Sequence, residues 1–402
     1  MRQNLRAEHW VEFDRLRQGR SWESVPLLPW AFLVSSKEVD RLRLLTEKLH
    51  LELLTCGQTV LRDGKVNEWL PPLAGLRRSV VSDEPWSSPD FHWRYDFLWD
   101  RDSGRLSFIE VNAGDPSGLG WIASFTRTMM SRSFWRDVWG AEVTEFPLFE
   151  NHQKALLSRL PQESNPVLRL LSAEGSTVAS DLECLAEMYR EASRDAQTAE
   201  PRELEIRTDG VFIGGSRVDV LLRDTYEELY WPPYEKIGPR LEELVREGRV
   251  LLLNPLGASF WDNKELWTLL SSGVEAAETR KLEEWALSPA EDYTEWVLKP
   301  AYDYGGRGVV CGFHSSPEVW ARAINAARDS DKRWVVQRAA RSAQEWVPSL
   351  SDQGDVEWVS RFVTWSAFVN NGTFSGLIAR SSRSPVVNVH NGGAIFPVLI
   401  SG

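Results

Sequence analysis

Residues 91–112 constrain the fold more than any other stretch of the chain. FHWRYDFLWD (91–100) alternates side chains along an apolar run, RDSGR (101–105) carries Asp-Ser-Gly turn chemistry, and LSFIEVN (106–112) returns. This pattern predicts a β-hairpin. Period two puts Arg94 and Asp96 on one face, and Glu110 and Asn112 together on the return strand. A turn near 101–105 brings Asp96 opposite that pair. Phe108, Ile109 and Val111 argue that the strand is buried, and inward carboxylates on a buried strand need a partner. Two carboxylates and an amide oxygen are hard ligands suited to Mg²⁺, and Arg94 would balance the acids or bind an anion. The competing reading is a solvated hairpin face.

Upstream, residues 1–22 predict an amphipathic helix with Trp10, Phe13, Leu16 and, less cleanly, Arg20 near one face. Residues 37–54 predict a stronger one, striped by Val39, Leu42, Leu45, Leu49 and Leu53. Residues 71–89 read as a loop rich in Pro, Gly and Ser. A helix is expected over 120–138. The middle third alternates strands (165–173, 217–225, 249–256) with helices (178–194, 234–247), the rhythm of a small open α/β unit. No GxGxxG follows its first strand, so a Rossmann dinucleotide site is not supported. The last third predicts a helix at 263–273, strands at 294–300 and 333–340, a helix at 316–330, and an antiparallel meander over 356–400 turning at Asn371-Gly372.

Three further segments carry chemistry. In WVLKPAYDYGGRGVV (296–310) a strand delivers Lys299 ahead of Gly305, Gly306 and Gly308. Glycines let backbone amides approach phosphate oxygens, and a lysine supplies a mobile charge for the same oxygens. The lysine precedes the glycines, so this is no Walker motif. The plainer reading is a glycine-rich hairpin with a surface lysine. Lys264, in FWDNKELW (260–267), stands at the start of an expected helix, where the dipole disfavours a cation. A bound polyphosphate would explain it, although a surface lysine is the simpler reading of that residue alone. Near the end, Arg361 and Arg380 lie on strands, and Asn388, His390, Asn391, Gly392 and Gly393 form a polar patch within apolar flanks.

Composition narrows the function classes. With 58 acidic and 46 basic side chains the net charge is −12, which disfavours non-specific binding to nucleic acid or anionic membranes. Three scattered cysteines show no metal or redox spacing and read as reduced thiols. No run approaches about 18 uninterrupted apolar residues, and the N-terminal segment lacks a signal-peptide core. A cytoplasmic protein is expected. The 20 tryptophans are scattered, which favours core packing over a ring-lined cleft for a sugar or polyamine. Neither a GxSxG elbow nor HExxH occurs.

Taken in order, these segments resemble the ATP-grasp ligases in their circularly permuted form, the group that includes glutathionylspermidine synthetase, without an amidase domain. RYDFLWD (94–100) with FIEVNAGDPSG (108–118) looks like the family's metal hairpin. SRVDVLLRDTYEELYW (216–231) resembles part of its central α/β unit, and NPLGASFWDNKEL (254–266) the segment with its first ATP lysine. VLKPAYDYGGRGV (297–309) is similar to its phosphate-covering loop, WVVQRAA (334–340) to its adenine-contacting strand, and FSGLIARSS (374–382) to the strand bearing an arginine over the reacting acyl phosphate.

The resemblance implies an α/β fold with α+β elements, ATP-grasp-like and circularly permuted, with a small open α/β subdomain. Its expected divisions are a mainly helical region (1–90), the metal-binding hairpin part (91–160), the α/β subdomain (161–260), and a nucleotide-binding and C-terminal part (261–402). It implies ATP and Mg²⁺ as cofactors, with Asp96, Glu110 and Asn112 on the metal. Lys264, Lys299, Gly305, Gly306, Gly308 and Gln337 would bind nucleotide, and Arg94 and Arg380 would be catalytic. The implied reaction joins a small-molecule or peptide carboxylate to an amine through an acyl phosphate, releasing ADP and phosphate. A kinase on the same scaffold, or a non-catalytic nucleotide- or peptide-binding protein, are the alternatives.

Overall fold

The computed structural model describes every residue except 1–4, 64–68, 70–89, 133–135, 137, 141, 163, 225–228, 230–231, 286–291, 304, 341–343, 352 and 388–392. The expected 71–89 loop and most of the polar patch at 388–393 therefore lie outside the described residues.

Helix α1 (Ala7–Arg17) buries His9, Trp10 and Phe13 and is shorter than expected. Strand β1 (Phe32–Ser35) runs straight into α2 (Ser36–Arg62). Ser35 and Glu38 form a capping box there: the Ser35 hydroxyl accepts the Glu38 amide, and the Glu38 carboxylate accepts the Ser35 amide. Leu42, Leu49 and Leu53 form its buried stripe, and Val39 and Leu45 pack at the edge.

β2 (His92–Asp100) and β3 (Arg105–Asn112) make the expected hairpin. Asp96 faces Glu110 and Arg94 faces Asn112, with a bulge after Asp96. Residues 92–97 are all buried, so the solvated-face reading fails. α3 (Leu119–Met130) ends earlier than the expected 138. β4 (Val143–Glu145) and α4 (Leu148–Leu157) follow.

The middle of the chain folds as β5 (Val167–Ser172), α5 (Ala179–Glu191), β6 (Asp195–Ala199), β7 (Glu205–Arg207), β8 (Gly210–Ile213), β9 (Ser216–Val218), β10 (Val220–Asp224), α6 (Ile237–Arg246) and β11 (Leu251–Leu253). Strands 11, 10, 5 and 6 form a parallel sheet in that order. The single strand expected over 217–225 is two. Asp219 breaks it: its carboxylate and its own amide both bond to the Val167 backbone, so β9 stays in a three-stranded antiparallel sheet with β7 and β8 while β10 enters the parallel one.

The helix expected over 263–273 is replaced by two 3-10 segments, Leu256–Asp262 and Lys264–Leu269. Asn263 separates them and accepts the Glu265 amide, and the tighter winding buries Lys264, Glu265, Leu266 and Trp267 in succession, which an amphipathic α-helix would not do.

Then come β12 (Thr279–Lys281), β13 (Trp296–Pro300), β14 (Val310–Cys311), α7 (Pro317–Arg328) and β15 (Trp334–Arg338). The strands form an antiparallel sheet, order 12-15-13-14, with a separate core that includes Trp285, Trp296, Trp320 and Val336. Finally β16 (Gln344–Leu350), β17 (Val356–Asn370), β18 (Thr373–Ser382) and β19 (Ala394–Ser401) build the expected meander. Asn371 and Gly372 turn it with φ of 47° and 76°. An eight-stranded sheet results, order 1-19-18-17-2-3, with β16 on β17 and β4 on β19. Trp22, Trp93, Trp139, Trp261, Trp296 and Trp365 are fully buried, so the tryptophans are core residues first.

Candidate functional site

β2 lies between β3 and β17, and β18 lies beyond β17, so four strands carry the side chains that meet at Asp96. Arg94 Nε donates to Asp96 Oδ1 at 3.0 Å, and Arg380 Nη2, from β18, donates to Oδ2 at 2.6 Å. Ser366 pairs in register with Asp96, and its hydroxyl donates to Oδ1 at 2.8 Å. Asn112 Nδ2 lies 3.4 Å from Oδ2. Burial alone would raise the Asp96 pKa; Arg380 and then Arg94 overcome this and hold its carboxyl well below the usual range. Arg94 also donates to the Ser117 carbonyl at 2.7 Å.

The two lysines approach the same hairpin from the other side. Lys264 Nζ pairs with Glu110 Oε1 at 2.9 Å and donates to the Asp303 carbonyl at 2.9 Å. It is buried, so the surface-lysine reading is wrong, and Glu110 supplies the compensation that a bound anion was invoked to provide. Lys299 is also buried, in the middle of an antiparallel sheet rather than at an exposed loop edge. Its Nζ donates to Gln337 Oε1 at 2.7 Å and to the Ile109 carbonyl at 3.3 Å. Gln337 in turn donates to the Thr279 hydroxyl at 3.0 Å. Burial pushes the Lys299 pKa down to about 8; Glu110 opposes the shift and Lys264 adds to it.

Gly305, Gly306 and Gly308 have φ of 68°, 72° and 71°, all left-handed, in an exposed turn after β13. A Cβ on Gly308 would meet the Pro300 ring at 2.9 Å, and one on Gly306 would meet Val386 at 2.6 Å. The structure thus brings Arg94, Asp96, Asn112 and Arg380, the Lys264–Glu110 pair and the Lys299–Gln337 pair together at one hairpin, with the glycine turn just beyond Lys299. Arg361 is on β17, as expected, but none of the contacts above involves it.

Several partners were not anticipated. Ser366 had a signal, as one of two hydroxyls inside the apolar run FVTWSAFV. The carbonyls of Ser117, Asp303 and Ile109 had none. Asp262 is half-buried, its carboxylate accepting the backbone amides of Ala113 and Gly114 just after the hairpin. Burial and then Asp115 raise its pKa to about 7. Asp181 plays a similar part from α5, accepting the amides of Gly118 and Trp121. A small cleft opens beside Ser117 at the carboxyl ends of the parallel strands, with Asp181, Arg223 and Asn254 on its wall.

The hairpin's donor set fits a hard divalent cation. Two carboxylates are strand neighbours and an amide adjoins them, and Glu110 keeps 24% of its side chain exposed. Asp96 is more fully engaged, so an ion reaching it would exchange with one of its N–H contacts. Among the described residues no group of three or more His, Cys, Asp or Glu side chains could hold a metal, so Asn112 is needed to complete the set.

A match to the family described as circularly permuted ATP-grasp type 2 spans residues 95–373. No curated protein matches the chain in sequence. Among solved structures, a glutathione synthetase-like effector from Globodera pallida in its apo form is similar at 11% identity and a TM-score of 0.61, over 98% of this chain and 96% of that one. A putative gamma-glutamylcysteine synthetase from Methylobacillus flagellatus KT is similar at 10% identity and a TM-score of 0.46, over 86% and 87%. At 11% identity the likeness to the effector concerns the fold alone.

Proposed function

The chain belongs to the circularly permuted ATP-grasp type 2 family, and from that premise we propose that it is an ATP-dependent ligase joining a carboxylate to an amine. The observation that carries this reading is the gathering of four cations at one hairpin: Arg94 and Arg380 on Asp96, Lys264 on its strand partner Glu110, and Lys299 buried alongside on the Ile109 carbonyl and Gln337. Four cations face two carboxylates there, and that excess of positive charge, in a protein of net charge −12, favours an anionic ligand. The named structural neighbours are described as synthetase-like, in keeping with this class of chemistry.

In this reading Lys264 and Lys299 hold ATP phosphates as point charges. The 305–308 turn covers them and keeps water from the reacting groups. Asp96, Glu110 and Asn112 would hold Mg²⁺, which supplies neutralising charge where two anions must approach. A substrate carboxylate oxygen attacks the γ-phosphorus, and the bond to the β-phosphate oxygen breaks to release ADP. An amine then attacks the acyl carbon of the acyl phosphate, loses a proton, and expels phosphate. Arg380, with Arg94 beside it, would serve first the phosphoryl group and then the tetrahedral oxyanion with its planar guanidinium.

The test incubates the protein with Mg²⁺–ATP and a panel of acids, with hydroxylamine in place of the amine. A hydroxamate, alongside ADP, is the expected product. Accumulation of a stable phosphorylated product without hydroxamate would make the protein a kinase. Nucleotide binding without turnover on any acid would make it a binding protein.

A further inference from the structure

Asp181 belongs to α5, on the parallel-sheet unit, yet its carboxylate serves the hairpin unit. Oδ2 accepts the Gly118 amide at 2.8 Å and Oδ1 accepts the Trp121 amide at 2.7 Å. Both amides belong to the first turn of α3, whose own N-terminal residue, Gly118, has no side chain to cap it. The approach is close: a Cβ on Gly120 would lie 2.1 Å from the Asp181 carbonyl oxygen. Asp181 itself is 3% exposed. One residue before Gly118, the Ser117 carbonyl accepts Arg94 Nη1 at 2.7 Å. Arg94 divides its donors between that carbonyl and Asp96, which it shares with Arg380.

We propose that Asp181 is a positioning residue for the reaction: by pinning the 117–118 turn from a neighbouring unit, it fixes where Arg94 points and so how Asp96 is divided between the two arginines. Arg94 Nη2 already lies 3.4 Å from Asp96 Oδ2, the oxygen Arg380 holds at 2.6 Å; released from the turn, the Arg94 guanidinium would be free to close that contact and displace Arg380 from its place over the reacting group. Asp181 touches neither ATP nor the hairpin carboxylates in this scheme. It acts through a backbone carbonyl, and it lines the cleft beside Ser117, so whatever enters that cleft meets the residue that sets Arg94. This inference rests on the ligase reading.

The experiment is a double-mutant cycle on ATP turnover. Asp181→Asn keeps the side chain's shape but can accept only one of the two amides well. It should lower kcat at least about tenfold while the KM for Mg²⁺–ATP stays within about twofold. On an Arg94→Ala background the same change should cost less than about twofold, because the residue it acts through is gone. Equal losses on both backgrounds, or a kcat in Asp181→Asn within about twofold of the parent, would overturn the proposal. If Asp181→Asn fails to fold, Asp181→Ser, which also offers one acceptor, takes its place in the cycle. If the parent releases no ADP with any acid, the function reading has failed. The side-chain Nε–H resonance of Arg94 then decides: a shift in the Asp181 variant supports the coupling, and an unmoved signal refutes it.

Discussion

Arg380 and Asp96 stand 284 positions apart in the chain, and their side chains meet at 2.6 Å, Nη2 to Oδ2. A buried carboxylate shared by two arginines is a fixed electrostatic part, and it links the C-terminal meander to the early hairpin. Removing Arg380 should therefore act on chemistry more than on nucleotide affinity. We expect Arg380→Ala to bind Mg²⁺–ATP within a few-fold of the parent but to turn over at least about 100-fold more slowly. Arg380→Lys should not rescue it, because an ammonium cannot bridge two oxygens as a guanidinium does. Near-parent turnover in either variant would refute the assigned role.

Lys299 gives a pH signature. Its folded pKa of about 8 lies below the usual lysine value of 10.5, so the folded protein binds fewer protons than the unfolded chain between those two values. Stability contributed by this group therefore rises as pH climbs through that window. Nucleotide affinity should move the other way, weakening above about pH 8 as the ammonium is lost. Lys299→Arg, charged throughout, should flatten the affinity profile, and Lys299→Met should cut turnover by roughly 30- to 1000-fold. A parent affinity constant from pH 7 to 9.5, measured by calorimetry, would count against the phosphate role.

The two hairpin carboxylates should part company in stability. Asp96→Asn leaves the buried Arg94 and the partly buried Arg380 without their shared anion and should cost about 2–4 kcal/mol. The depressed Asp96 pKa also means that its stabilisation is present above the ordinary carboxylate range and is lost as pH falls below it. Glu110→Gln leaves only Lys264, which keeps the Asp303 carbonyl, so its melting temperature should change less. Both should lose Mg²⁺-dependent turnover. Equal melting temperatures for the two variants, read by calorimetry at pH 7, would contradict this division.

The 301–308 segment offers a test of closure. The Asp303 carbonyl is tied to Lys264 and its carboxylate lies 3.3 Å from Lys332 Nζ, while the glycine turn beyond is exposed. Amide exchange across 305–308 should slow when Mg²⁺–ATP is added. Unchanged exchange there, with nucleotide bound, would rule out a lid.

What was legible in the sequence was what local pattern encodes. The hairpin, with its Asp96–Glu110 register, follows from alternation and an Asp-Ser-Gly turn, and the Asn371-Gly372 reversal follows from the left-handed conformations those residues tolerate. The α/β rhythm was readable for the same reason. Lys264 was placed in a helix because its apolar neighbours fall at helical spacing, but Asn263 caps a tighter turn that carries it inward. The burial of Lys299 was hidden because depth depends on strands that arrive 35 residues later, at β15. Asp181 and Asp262 were illegible: each serves backbone amides 60 or more residues away, and a backbone amide leaves no mark in a sequence.

The central sheet also says something about how the molecule comes into being on the ribosome. β2 has β17 as its inner neighbour, and β1 pairs in parallel with β19, the last strand of all. Until residue 370 has been made, the hairpin with both carboxylates has one side open, and until residue 380 has been made, Asp96 lacks its second arginine. Contacts of such long sequence separation form slowly, because most of the chain must be ordered before they repay the loss of freedom. Nascent chains therefore carry an unfinished sheet edge until β17 is made, and the Arg94–Asp96 pair waits for β18 before it gains Arg380.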